Sequence, residues 1–279
     1  MDNAPRLKES EFDQIAGLVY NQFCIHLTAQ KRTLVEGRLA KRLRDLNLNS
    51  YTDYMEFVRL DGSGQELTEF VNRITTNHSF FYREKTHFEF LAKIILPEVR
   101  KNAGALSAFP LRIWSAGCST GDEVYTVAMI IREFFGPALA RIDCGLLATD
   151  ISQAALKEAQ AAIYSEARLR ELPPRYTSSW FSKVGADQFA LAADIRNMVM
   201  FKRLNLMVDD FPFHGQFDVV FCRNVMIYFD QAKRNQVINN IYRFVKPGGF
   251  LFIGHSESLQ RDNCPFDYVS PAIYRKRTA

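Results

Sequence analysis

The chain has 279 residues, 47% of them apolar and 24% charged, with a formal net charge of +4. That length suits about two domains and buries enough surface to need no disulfide or structural metal, and the composition excludes disorder, collagen and low-complexity repeats. So small a positive excess does not fit a protein that coats nucleic acid.

Residues 9–75 read as helices. Ser10 and Asp13 have capping-box-like spacing, and Phe12, Ile15, Leu18 and Val19 recur at helical period. A second helix is predicted over Thr28–Leu46. A third runs over Ser50–Leu60 with Ser50 as N-cap, and the Asp61-Gly62-Ser63-Gly64 turn ends it. A fourth follows over about 65–74. Between Lys31 and Arg44 stand six basic residues and one acid, a net +5. Val35, Leu39, Leu43 and Leu46 form the apolar stripe of that helix, with Lys31, Arg38, Lys41 and Arg42 along one edge. The edge is either a solvated face or a docking face for an acidic partner.

After residue 105 the pattern changes to short apolar strands alternating with helices. Strands are predicted at 111–114, 146–150, 198–201, 217–222 and 250–254, and a terminal hairpin at 268–274. Such alternation implies a mostly parallel sheet with helices on both faces. The five cysteines (Cys24, Cys118, Cys144, Cys222 and Cys264) are odd in number and contain no C-x-x-C pair, as expected of reduced thiols in the cytosol. The polar, acidic start of the chain is no signal peptide, and no apolar run reaches the ~18 residues of a membrane span. The expected location is cytoplasmic, without membrane insertion. The histidines pair with no Cys or Asp at ligand spacing, so no metal is expected.

Ligands of open α/β sheets bind at the carboxyl ends of the strands. The first strand runs into Ala116-Gly117-Cys118-Ser119-Thr120-Gly121-Asp122-Glu123. This is neither G-x-G-x-x-G nor a P-loop, which disfavours a phosphate cradle and a nicotinamide oxidoreductase. Acids here suit a ligand with hydroxyls or positive charge. Asp150, closing the second strand, can accept both hydroxyls of a ribose. S-adenosylmethionine combines a ribose, an ammonium and a sulfonium. Asp122 can equally serve as a helix N-terminal acid. The fourth strand ends in Cys222-Arg223-Asn224-Val225-Met226-Ile227-Tyr228-Phe229, without the Asn/Asp-Pro-Pro-aromatic run or Pro-Cys pair of nucleic-acid methylation.

Several segments together resemble the CheR family of chemotaxis receptor methyltransferases: Thr76 to Glu84, Trp114 to Ala116 with Ser119 to Glu123, Ala148 to Asp150, Phe221 to Phe229, and Gly254-His255-Ser256-Glu257. The resemblance spans nearly the whole chain. It implies a Rossmann-like S-adenosylmethionine-dependent domain: a mostly parallel seven-stranded sheet with an antiparallel edge hairpin and a small β-subdomain insertion, preceded by a small all-α domain. The implied division is a helical receptor-docking domain at 1–75, a linker and cofactor-contacting segment at 76–105, and a methyl-transfer domain at 106–279 with its insertion at about 176–204.

The resemblance implies methyl transfer from S-adenosylmethionine to glutamate γ-carboxylates of bacterial chemoreceptors, leaving S-adenosylhomocysteine. By motif, the cofactor contacts are Asn77, Ser79, Arg83, Glu123, Asp150, Asn205, Leu206, Arg223 and Asn224. Arg83 and Tyr228 are the candidate catalytic residues. Lys31, Arg38, Lys41 and Arg42 are candidates for docking the acidic helical bundle of the receptor. Ser79 stands where the family often has Thr, and Asp122 where it often has Glu. The stretch that fits the β-subdomain has a shorter, less Gly-rich turn than in members that bind a receptor C-terminal pentapeptide, so tether-independent action is expected. The family is generally monomeric, and other regulatory proteins can be partners. The alternative is an S-adenosylmethionine methyltransferase with another protein or small-molecule acceptor.

Overall fold

The computed structural model describes residues 5–74, 79–103, 110–259 and 264–278. These divide into two compact units. One holds the described residues before 77 with Tyr228–Asn235, and the other holds the remainder.

The first unit contains α1 (Glu9–Phe23), α2 (Arg32–Asp45), α3 (Tyr51–Leu60) and α4 (Gln65–Ile74). The buried side chains of α1 are Glu11, Phe12, Ile15, Val19 and Phe23. Its start differs from the capping box expected at Ser10 and Asp13. Lys8 is the N-cap, and the Glu11 carboxylate accepts from its backbone N–H at 2.9 Å. The same carboxylate accepts from the N–H and hydroxyl of Thr52 in α3, so tertiary contact set the cap. The expected helix over 28–46 opens with a 3₁₀ turn, Ala29–Lys31, before α2 begins. Val35, Leu39 and Leu43 of its stripe are fully buried. Ser50 caps α3 by accepting from Asp53 N–H. Glu66 of α4 is buried, and it accepts from the guanidinium of Arg42 and, at 2.8 Å, from the Tyr54 hydroxyl. The chain also returns to this unit. His26 N–H donates to the Tyr228 carbonyl, and the Tyr20 hydroxyl to Asp230, both at 2.8 Å.

The second unit begins with α5 (Lys85–Phe90), which passes through a π-helical turn, Leu91–Ile95, into α6 (Leu96–Ala103). There follow β1 (Pro110–Ala116), α7 (Asp122–Phe135), β2 (Asp143–Asp150), α8 (Gln153–Ala161), β3 (Ile163–Tyr164), α9 (Glu166–Leu169), α10 (Pro174–Trp180), β4 (Phe181–Gly185), β5 (Gln188–Leu191), α11 (Ala193–Arg196), β6 (Val199–Arg203) and β7 (Phe217–Cys222). Helix α12 (Gln231–Phe244), β8 (Val245–Ile253), β9 (Phe266–Ser270) and β10 (Ile273–Lys276) complete the chain.

Seven strands form one sheet in the order β6-β2-β1-β7-β8-β10-β9. The first five pair in parallel and the last two close it as an antiparallel hairpin. β1 pairs on one side with β2 and on the other with β7, so strand order reverses there and the loops after β1, β2 and β7 converge. The central strands are nearly all apolar because both their faces are covered. Trp114 is fully buried and still satisfies its indole N–H on the Thr149 hydroxyl at 2.9 Å.

The small sheet, in the order β3-β5-β4, starts at Ile163, ahead of the boundary expected near 176. Its first strand is two residues long, too short to leave a period in the sequence. Among the described residues, no helix is long and apolar enough to cross a membrane.

The Arg42–Glu66 pair is partly sheltered, with the carboxylate side chain only 6% exposed. Replacing Arg42 by Ala strands that carboxylate, and is expected to cost about 2 kcal/mol and lower the thermal unfolding midpoint. Replacing exposed Lys41 by Ala is expected to leave the midpoint unchanged.

Candidate active site

The turn after β1 is anchored by its backbone. The N–H groups of Gly117 and Cys118 both donate to the Thr149 carbonyl of β2, at 2.8 and 2.9 Å. Gly117 has φ +76, and a Cβ there would lie 2.4 Å from a methyl of Val225. Glycine is required on both counts. The turn therefore lies directly against the segment that follows β7.

The two acids that start α7 point to different tasks. Asp122 is fully buried and paired with Arg168 through both carboxylate oxygens, with the Thr120 hydroxyl donating at 3.0 Å. It holds the fold. Glu123 accepts from the Ser115 hydroxyl at 2.7 Å and from Arg223 at 2.8 Å.

Arg223 is the centre of this cluster. Its side chain is 3% exposed. It donates to Glu123, to Glu84 at 3.2 and 3.3 Å, and to the Arg83 carbonyl, with its guanidinium 5.3 Å from the Phe88 ring centre. Glu84 also accepts from the N–H of His255 at 3.2 Å and the amide of Asn224 at 3.4 Å. Burial pushes the Glu84 pKa up, but Arg223 and the hydrogen bond from the His255 backbone N–H outweigh it and leave it below the usual range. For Glu123 burial wins over Arg223 and Ser115, and its pKa is raised. Two carboxylates thus share one guanidinium, so the cluster keeps an excess of negative charge.

Asp150, at the end of β2, accepts one bond on each oxygen, from Ser119 N–H and Ser152 N–H, both at 2.8 Å. Burial raises its pKa despite those bonds. Asn205 turns its own chain, its side-chain oxygen accepting from Met207 N–H at 3.0 Å, and Leu206 beside it is buried. Ser79 is half-buried, and the Arg83 guanidinium lies 5.9 Å from the Phe80 ring centre. Asn77 lies outside the described residues. Tyr228 belongs to the helical unit, where Lys31 sits 5.0 Å from its ring centre. Of the predicted docking residues, Arg38 bonds the Ile74 carbonyl and Arg42 is held by Glu66, while Lys41 is exposed.

Sequence reasoning assigned no role to Glu84 or Glu257. Both stand inside segments that it singled out. The missing signal was conformational, since Glu84 lies at φ +59 and Asn224 at φ +57, and neither residue type announces that geometry. Glu84, His87 and His255 bring potential metal-ligand atoms within 4.8 Å of one another. Both oxygens of the Glu84 carboxylate are already engaged, however, by Arg223, the Asn224 amide and the His255 N–H. Burial, then Arg223, lowers the His87 pKa to about 3, so its ring is neutral.

The donor set fits S-adenosylmethionine. Asp150 keeps free lone pairs for ribose hydroxyls, the glycine turn allows close backbone approach, and the surplus negative charge favours a cationic ligand.

Residues 77–274 match the family model described as CheR methyltransferase, SAM binding domain, and residues 10–75 match the CheR methyltransferase, all-alpha domain. The chain is 38% identical over 270 residues to a chemotaxis protein methyltransferase of Borreliella burgdorferi, covering 97% of this chain and 95% of the relative. It is 33% identical over 271 residues to the chemotaxis protein methyltransferase of Escherichia coli, covering 96% and 91%. It is 34% identical over 267 residues to chemotaxis protein methyltransferase 2 of Pseudomonas aeruginosa, covering 95% and 92%.

The raised pKa values of Asp150 and Glu123 set an expected pH dependence. A ligand that needs the ionised forms loses affinity as pH falls, and the loss sets in above the ordinary carboxylate range. Calorimetric titration of S-adenosylhomocysteine from about pH 8 to about pH 5 reads it. Replacing Asp150 by Asn is expected to weaken binding about ten-fold or more at the alkaline end and to flatten the curve.

Proposed function

Because the chain belongs to the CheR methyltransferase family, it is an S-adenosylmethionine-dependent methyltransferase, and we propose that it esterifies glutamate γ-carboxylates of bacterial chemoreceptors. The observation that carries the reading is the buried Arg223 held between Glu84 and Glu123 where strand order reverses. It is a pre-built cluster with more carboxylate than guanidinium, at the strand ends where Asp150 also lies. The relatives named as chemotaxis protein methyltransferases support the acceptor.

When bound, S-adenosylmethionine supplies an electrophilic methyl group on a sulfonium. Residues Glu123, Asp150, Asn205, Leu206, Arg223 and Asn224, with Ser79 and Asn77, would hold it. The acceptor carboxylate is already ionised at neutral pH, so no side chain has to remove a proton. The chain's task is placement and exclusion of water. Arg83 is suited to pair with a carboxylate through two parallel N–H bonds, which a lysine cannot do. In this reading Arg83 aligns the acceptor. The helical unit docks the receptor through its basic edge. Arg38 and Arg42 are engaged within that unit, and of the four edge residues Lys41 is the exposed one.

Incubation with labelled S-adenosylmethionine and receptor-bearing membranes is expected to give base-labile label on receptor glutamates. Stable label, or label on another acceptor, would refute the proposal. Replacing Arg83 by Ala is expected to lower transfer about a hundred-fold, and a wild-type rate would remove Arg83 from the mechanism. Reversing charge at Lys41 (Lys41→Glu) is expected to raise the KM for receptor and to leave S-adenosylhomocysteine affinity unchanged. An equal loss of both would point to misfolding rather than docking.

A further inference from the structure

Glu257 stands in the turn after β8, and its carboxylate is spent on backbone amides. One oxygen accepts from Gly254 N–H at 2.6 Å and from Asn224 N–H at 2.9 Å, and the other accepts from Ile227 N–H at 3.2 Å. Its own N–H closes the turn on the Gly254 carbonyl at 2.9 Å. Two separate strand ends, those of β7 and β8, are therefore tied by one side chain.

The packing between them is close. A Cβ on Gly254 would lie 2.3 Å from the side-chain nitrogen of Asn224 and 2.9 Å from its backbone nitrogen. Asn224 itself is in the left-handed region at φ +57, a conformation costing about 1 kcal/mol or more that persists only where surrounding contacts over-determine it. In that conformation its amide reaches Glu84, which also holds Arg223.

We propose that Glu257 is a positioning residue for cofactor binding. It pins the segment from Arg223 to Ile227 so that Asn224 and Arg223 present their side chains to the site. This rests on the reading of Arg223 and Asn224 as cofactor contacts.

The chemistry distinguishes Glu from its isostere. Gln offers one acceptor oxygen and turns the other position into a donor that meets a backbone N–H, so part of the tie is lost although size is kept. Asp keeps the charge and both acceptors but falls short by one methylene, about 1.5 Å.

The test is S-adenosylhomocysteine titration by calorimetry of wild type, Glu257→Gln, Asn224→Ala and the double variant, with amide hydrogen exchange over residues 223–227 of the ligand-free protein. Glu257→Gln is expected to weaken binding about ten-fold or more and to speed exchange at Asn224 and Ile227. The double variant is expected to bind about as weakly as the weaker single variant, because Glu257 acts through Asn224 and its neighbours. Glu257→Asp is expected to recover part of the affinity. If the Gln variant does not fold, the Asp variant gives the same comparison against wild type.

Wild-type affinity in Glu257→Gln, or full additivity in the double variant, overturns the proposal. If Asn224→Ala weakens binding while Glu257→Gln does not, only the role of Glu257 fails. If Asn224→Ala binds as wild type, the assignment of Asn224 to the site fails as well, and the proposal falls with it.

Discussion

A guanidinium almost wholly removed from water must be met by charge and by hydrogen-bond acceptors, or the fold loses several kcal/mol. Arg223 meets that demand with Glu84, Glu123, the Arg83 carbonyl and the Phe88 ring. Its partners lie on the segment before α5, in α5 itself and on the first turn of α7, while Arg223 follows the end of β7. Satisfying Arg223 therefore draws three parts of the second unit to one point, and that point is where strand order reverses. The surplus of carboxylate over guanidinium makes the same cluster receptive to a cation, so one arrangement answers a stability requirement and a binding requirement together.

The backbone around this centre adopts conformations that cost energy. Gly117, Ser119, Glu84 and Asn224 all have positive φ. Only Gly117 adopts it freely. The others are held by neighbours: Asp150 on the Ser119 N–H, Glu257 on the Asn224 N–H, and Arg223 on the Glu84 carboxylate. Strain gathered at one end of a sheet and fixed by half-buried acids is a mark of a pre-organised site. Burial raises the pKa of Asp150, Glu123 and Glu257, so their ionised forms are less favoured here than in water.

The helical unit follows a different economy of charge. Its basic edge looks like a surface feature when counted along the chain. Arg42 is instead committed to Glu66, and Arg38 to the carbonyl that ends α4. Lys31 lies over Tyr228. Much of the +5 in residues 31–44 is used to hold this unit together, and a smaller exposed part remains for an acidic partner.

Local rules were enough for much of this protein. Alternating apolar runs with a glycine turn and an acid-ended second strand marked a parallel α/β sheet and placed the ligand at its carboxyl ends, because period and turn chemistry act over a few residues. Ser50 as a cap and the terminal hairpin at β9 and β10 belong to the same class. The partners of each charge had to come from tertiary structure. Asp122 and Glu123 are adjacent and chemically alike, yet one faces Arg168 and the other Arg223, since successive residues of a helix point about 100° apart. Glu257 and Asn224 stand 33 positions apart in the chain, and they meet only because β7 and β8 are neighbours in parallel register. A single sequence records that Asn, Arg and Glu are present at strand ends. Which amide each carboxylate holds, and which residue is forced into a left-handed turn, is decided by the packing of strands distant in sequence.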